Sequence, residues 1–200
     1  MKQRLFLAVE LDDEVRHGLA AHLDAATGSG VLPGRPVPAA NWHITLRFIG
    51  YAFPEQLDRL LHEVDTAELS GPFRIGFGGL GAFPRPSNAT VLWLGIEAGA
   101  GRLVDLAAAV EAATVGAGFG PEERPFHPHL TLSRIRPHED VSGVVESFPG
   151  FPLKLGVDGV TLFRSILGGA TPARYEPVER FPLTSRGQQT DRAKRREDPS

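Results

Sequence analysis

The 200-residue chain has no cysteine. That removes disulfides, thiolate nucleophiles and cysteine-ligated zinc or iron–sulfur centres, and it suits a reducing cytoplasm. Long apolar runs are missing too: nothing approaches the roughly 20 residues that span a bilayer, so no membrane association is expected. The first ten residues run straight into Glu10, Asp12, Asp13 and Glu14 without a small-residue cleavage site. They read as a strand rather than a leader. Positive charge is scarce as well. The formal net charge is −3, and residues 185–200 hold five Lys/Arg against three acids, which leaves −5 for the rest. Such a body lacks the broad basic footprint of a protein gripping long nucleic acid, but a small anionic end-group remains compatible.

What is present is a 42% hydrophobic chain, long enough for one substantial domain or two small lobes. Residues 2–11 alternate as a strand. Asp12 and Asp13 offer a cap for a helix to about Thr27 that Gly28 ends, and the prolines of residues 30–40 impose a loop or an extended edge. A strand follows over residues 42–50, then a helix from Pro54 to about Leu69 with Leu57, Leu60, Leu61 and Val64 on its apolar face. Residues 73–83 and 90–96 form a hairpin across residues 84–88. The second half brings a helix over 101–115 built on Leu103, Leu106, Ala107 and Val110, a loop, a strand over 128–135, and a short helix within 139–148. Strands at 151–163 and 175–183 close it, with a turn around Gly168-Gly169. Strand runs broken by helices predict an α+β fold with antiparallel sheets. Each half repeats the order helix, strand, helix, two strands, a weak internal duplication. Residues 184–200 are polar and aperiodic and read as a disordered tail.

Two words nearly repeat within this frame: His43-Ile44-Thr45-Leu46 and His129-Leu130-Thr131-Leu132, 86 positions apart. In a strand, side chains two apart share a face, so each word sends an imidazole and a hydroxyl one way and two apolar side chains the other. Brought together, the words offer two imidazoles and two hydroxyls to one ligand. That set suits attack on a phosphodiester: water loses a proton, the leaving alkoxide gains one, and the nonbridging oxygens need donors. An ordinary histidine pKa near 6.5 leaves both protonation forms within reach. Arg47 would share the face of His43 and Thr45, or lie solvated at the surface. His127 makes an H-x-H pair with His129. Adding His43 gives three imidazoles capable in principle of holding zinc, although no orienting carboxylate is evident, and the alternative is a cleft-rim residue that tunes its neighbour. His17, His22, His62 and His138 read as solvated. Gly76-Phe77-Gly78-Gly79-Leu80-Gly81 does not open a helix, as a dinucleotide loop would, because Pro84 and Pro86 follow. Its glycines read as bulges or close sheet contacts.

These words, with Arg4-Leu5-Phe6-Leu7-Ala8-Val9-Glu10, Gly79-Leu80-Gly81-Ala82-Phe83-Pro84 and Arg124-Pro125-Phe126-His127-Pro128 before the second word, resemble the 2H phosphoesterase superfamily. Within it, the chain resembles the RNA 2′,3′-cyclic phosphodiesterases, also called 2′-5′ RNA ligases. The resemblance runs from about Arg4 to Leu183 and implies a single bilobal, duplicated α+β domain. Two antiparallel sheets would line a central cleft, with the helices outside. It implies a cytoplasmic, monomeric enzyme that uses no cofactor or metal and opens terminal 2′,3′-cyclic phosphates of RNA or nucleotides to 2′-phosphomonoesters. His129 would activate water and His43 would protonate the departing 3′ oxygen, although the residues themselves allow either order. Thr45 and Thr131 would bind phosphate oxygens, Arg134 would contact the nucleotide, and Phe6 would offer a stacking face or pack in the core. RNA ligation forming 2′-5′ linkages, and a noncatalytic module that binds phosphorylated nucleotides, are the alternatives.

Overall fold

The alternating first run forms strand β1 (Gln3–Glu10) in the structure, a computed structural model that describes residues 2–27, 32–168 and 172–184. Asp12 opens helix α1 (Asp13–Thr27), its Oδ1 accepting from the Val15 amide at 2.8 Å and so satisfying one of the donors a helix start leaves open. Among the prolines lies β2 (Arg35–Pro36), a two-residue edge strand, where a missing N–H costs little. Then come β3 (His43–Ala52) and helix α2 (Pro54–Thr66), where Gln56 Oε1 accepts from the Phe53 amide at 3.0 Å. The expected hairpin is β4 (Phe73–Phe83) with β5 (Ala89–Ala98). Helix α3 (Ala100–Gly116), β6 (His129–Glu139), helix α4 (Ser142–Ser147), β7 (Lys154–Val157), β8 (Gly159–Ile166) and β9 (Arg174–Pro182) complete the order.

Every strand pairing is antiparallel, in two sheets ordered β3-β1-β8-β9 and β2-β6-β5-β4-β7. The fold is α+β with two antiparallel sheets, as expected. One strand expectation fails. Residues 151–163 are not continuous, because β7 edges the second sheet while β8 lies inside the first. The chain changes sheets at Asp158, whose carbonyl accepts from the Leu183 amide at 2.8 Å and whose Oδ1 accepts from Arg180 at 2.6 Å. An apolar run shows burial but not which sheet buries it.

The duplication also starts one strand earlier than the sequence suggests. The matching units are β1-α1-β3-α2 and β5-α3-β6-α4, and each sheet then receives a strand from beyond the other unit's second helix. Strand β4, following α2, pairs with β5; β8, reached from α4 through β7, pairs with β1. The two lobes are laced by this exchange.

The main core gathers Leu5, Leu7 and Val9 of β1 with Ile44 and Leu46 of β3, Leu92 and Leu94 of β5, and Leu130 and Leu132 of β6. Leu19, Leu60, Leu103, Leu106 and Val110 come from the helices. Each fully buried leucine contributes on the order of 1.5–3 kcal/mol. A separate cluster of Phe6, Ala8 and Phe163, with Tyr175 against it, occupies the opposite face of the first sheet. His17, His62 and His138 are exposed as expected, but His22 is not simply solvated. Its ring lies 5.3 Å from those of Phe148 and Phe151, and its Nε2 is 3.0 Å from the Pro149 carbonyl. Among the described residues no helix is long and apolar enough to cross a membrane. Gly28, Gly169 and the tail from residue 185 lie outside the described residues.

Candidate active site

Both words behave as the alternation predicts through their first four residues. Ile44, Leu46, Leu130 and Leu132 are buried, while His43, Thr45, His129 and Thr131 are half-buried on the other face. The alternation then breaks in both strands at the same place. Ala8 pairs with Thr45 and Leu7 with Arg47, which leaves Leu46 as an extra residue; Trp93 pairs with Thr131 and Leu92 with Ser133, which leaves Leu132 as the extra. A one-residue bulge reverses which face each later side chain takes. Arg47 and Ser133 turn inward, at 7% and 0% exposure, and Phe48 and Arg134 turn out on the histidine side. Simple alternation would have sent Arg134, five residues after His129, to the core. The bulge brings it to the site.

The same bulge corrects the reading of Arg47, which neither shares the face of His43 nor lies in solvent. Its guanidinium stands 2.6 Å from Glu111 Oε2 on α3 and 2.6 Å from Glu122 Oε1 in the loop before β6, and it donates to the Gly120 carbonyl and, at 3.4 Å, to Thr114 Oγ1. Ser133, its counterpart, donates to the Pro33 carbonyl in the loop before β3, and the Val37 amide donates to the Leu132 carbonyl at 2.8 Å. Each histidine strand thus holds the loop that leads into the other.

The histidines are oriented identically. His43 Nδ1 is 2.7 Å from the Asn41 carbonyl and His129 Nδ1 is 2.6 Å from the His127 carbonyl. A carbonyl only accepts, so each Nδ1 carries the hydrogen and each neutral ring has Nε2 as its available base. Burial pushes His43 down to about 4; the Asn41 carbonyl opposes this, and Arg134 and then His129 press it lower. His129 is lowered also, chiefly by burial, against the pull of the His127 carbonyl and with help from His127 and Arg134. Arg134 thus bears electrostatically on both histidines, and His129 on His43. Both rings are neutral near pH 7.

Aromatic walls hold each imidazole. His43 has Phe6 at 4.8 Å and Tyr175 edge-on at 5.2 Å, with Phe163 stacked on Phe6 at 5.2 Å. His129 has Phe83 edge-on at 5.1 Å and Trp93 at 6.1 Å. Phe6 therefore sits at the site, but at 3% exposure its ring backs His43 within the small aromatic cluster. Trp93, Phe83, Phe163 and Tyr175 were not identified from the sequence. The signal for Trp93 is its alternation with buried Leu92 and Leu94, which puts it on the face of Thr131. The glycines of β4 serve close packing, as expected: a Cβ at Gly81 would overlap the Trp93 indole, and the β4–β5 register shifts between Phe77 and Leu80.

His127 is exposed, 5.0 Å from the Trp93 ring, and reaches His129 through its own backbone carbonyl. Among the described residues no group of three or more His, Cys, Asp or Glu side chains is gathered as metal ligands, so the three imidazoles do not form the zinc set considered from the sequence. The hydroxyls of Thr45 and Thr131 lie each on the face of its own histidine, and Arg134 turns out on the face of His129 and Thr131.

Comparison with known proteins gives consistent findings. The chain is 38% identical over 128 residues to an RNA 2′,3′-cyclic phosphodiesterase of Aeropyrum pernix, covering 64% of this chain and 72% of that one. It is 33% identical over 188 residues to the protein of that name from Methanothermobacter thermautotrophicus, covering 92% and 100%. The crystal structure of E. coli LigT complexed with 3′-AMP superimposes with a TM-score of 0.73 at 30% identity, over 92% of this chain and all of that one. Residues 13–169 match the model of the 2′-5′ RNA ligase superfamily, and with the paired histidine strands in place the chain belongs to that family.

Proposed function

We propose that this protein hydrolyses RNA 2′,3′-cyclic phosphate ends to 2′-phosphomonoesters by two-histidine acid–base catalysis, without a metal. The observation that carries the reading is the matched pair of imidazoles, each fixed through Nδ1 and each with Nε2 as its available base. The names borne by the relatives support the substrate class. In the reaction, one Nε2 takes a proton from water as the water oxygen bonds to phosphorus. The bond from phosphorus to the 3′ oxygen breaks, and the other imidazole, protonated, donates to that oxygen. Thr45 and Thr131 donate to the nonbridging oxygens, and Arg134 offsets negative charge and holds the nucleotide. The phosphodiester anion supplies the negative field that draws a proton onto one otherwise neutral ring. We place the enzyme in the cytoplasm as a monomer, a compartment its lack of cysteine suits.

The test is incubation of the purified protein, in EDTA, with an oligonucleotide ending in 2′,3′-cyclic phosphate. The expected result is a 2′-phosphate product and a loss of roughly 100- to 10,000-fold in both His43→Ala and His129→Ala. Full activity in either variant overturns the mechanism. Tight product binding without turnover at any pH would make the protein a binding module, and joined 2′-5′ product from a 5′-hydroxyl partner strand would make it a ligase.

A further inference from the structure

The first sheet extends the site in one direction. Along β1 the alternate residues Glu10, Ala8, Phe6 and Arg4 stand opposite His43, Thr45, Phe48 and Tyr51. Cross-strand partners share a face, so these eight side chains form one surface. The bulge at Leu46 and a second register shift between Leu5 and Phe6, where Gly50 takes a left-handed φ of 78°, keep the row in step. Beyond the histidine and threonine this row presents Phe48 at 54% and Tyr51 at 57% exposure. Lys2 Nζ lies 4.9 Å over the Tyr51 ring, and Arg4, also exposed, is its partner across the ladder.

We propose that Tyr51, Phe48, Arg4 and Lys2 form a subsite for the nucleotide on the 5′ side of the reacting terminus of single-stranded RNA. The inference rests on the function proposed above and adds a direction and a length to it. A strand terminating in a cyclic phosphate continues only toward its 5′ side, so a surface leading out of the phosphate site meets the next nucleotide. Aromatic faces beside cations are the chemistry that accepts a base and its phosphate without reading sequence. Successive positions on one strand face are about 7 Å apart, so the stretch from Phe48 to Tyr51 suits one nucleotide rather than a long tract. The net charge of −3 agrees with a footprint that short. Along the matching β5–β6 row no Phe or Tyr takes the places of Phe48 and Tyr51. There Arg134 replaces Phe48, its partner is Val91, and the next paired positions are Ala89 and Glu139. An exposed aromatic pair beside cations on one lobe, against arginines without that pair on the other, gives the RNA one polarity across a nearly twofold site.

The experiment compares kcat/KM for adenosine 2′,3′-cyclic phosphate with that for a diadenosine dinucleotide ending in 2′,3′-cyclic phosphate. Wild type is expected to favour the dinucleotide through a lower KM. Tyr51→Ala is expected to shrink that preference about fivefold or more, the low end of what an alanine costs a stacked base. Tyr51→Phe retains the preference, and Arg4→Gln reduces both it and its salt dependence. Equal kcat/KM for the two substrates in wild type, or equal losses on both in Tyr51→Ala, overturns the subsite while leaving the hydrolytic reading intact. Absence of turnover on either substrate removes that reading and the subsite with it.

Discussion

Arg47 Nη1 lies 2.6 Å from Glu122 Oε1, so the strand that carries His43 grips the loop that delivers His129 seven residues later. The arginine is 7% exposed, while its two carboxylate partners keep some solvent, Glu111 at 28% and Glu122 at 44%. That difference sets what its removal costs.

Arg47→Met is expected to lose about 2–3 kcal/mol, less than the roughly 3–5 kcal/mol for breaking a fully dry pair, because the Glu122 side chain is 44% exposed. Arg47→Lys should recover little, since one ammonium cannot reach Glu111, Glu122, Thr114 and Gly120 as the planar fork does. Urea unfolding midpoints measure the loss. A change within 0.5 kcal/mol would show that the lobes are held without this tie.

The two histidines should respond differently to leaving-group chemistry. Burial leaves His43 with a pKa of about 4, so the resemblance's assignment of acid to His43 requires bound substrate to draw the proton there. A nucleoside phosphodiester with a p-nitrophenolate leaving group needs no protonation of that group. The variant lacking the acid should therefore recover most of its rate on that ester, and the variant lacking the base should stay slow. Recovery in His43→Ala alone identifies His43 as the acid, and recovery in His129→Ala alone reverses the roles. Equal recovery in both would contradict a division of labour.

Acid should destabilise the fold through His43. Above pH 6.5 the ring is neutral in the folded and unfolded chain and adds no pH dependence. Between pH 6.5 and 4 the unfolded chain takes up a proton that the folded chain resists, so stability falls as pH falls, by up to about 3 kcal/mol, and levels off below pH 4. His129, shifted the same way, steepens the loss. His43→Asn should flatten the stability profile across this window in urea titrations at successive pH values. An unchanged slope would show that His43 is not held neutral by the fold.

Much of this was legible in the residues themselves. The paired words identified His43, Thr45, His129 and Thr131, and period-two alternation predicted which of their neighbours are buried. The helices and the β4–β5 hairpin followed from apolar spacing and proline placement. Arg47 was misread because alternation carries no mark of a bulge: Leu46 and Leu132 look like any apolar strand residue. The aromatic walls were missed for a related reason. Phe6 alone is legible there; Phe163 and Tyr175 join it from two other strands, and which strands neighbour one another is a matter of sheet order.

The sequence by itself determined the chemistry on offer: two imidazoles, two hydroxyls, no thiol, little net positive charge and strands that alternate. Local patterns suffice there because a strand's period and a side chain's functional group do not depend on distant residues. Only the tertiary structure decided that the lobes exchange β4 and β8, that Arg47 is buried between carboxylates, and that Arg134 joins the histidines while Phe48 takes the matching place on the other lobe. Those outcomes depend on register and strand pairing, which are chosen by contacts among residues far apart in the chain.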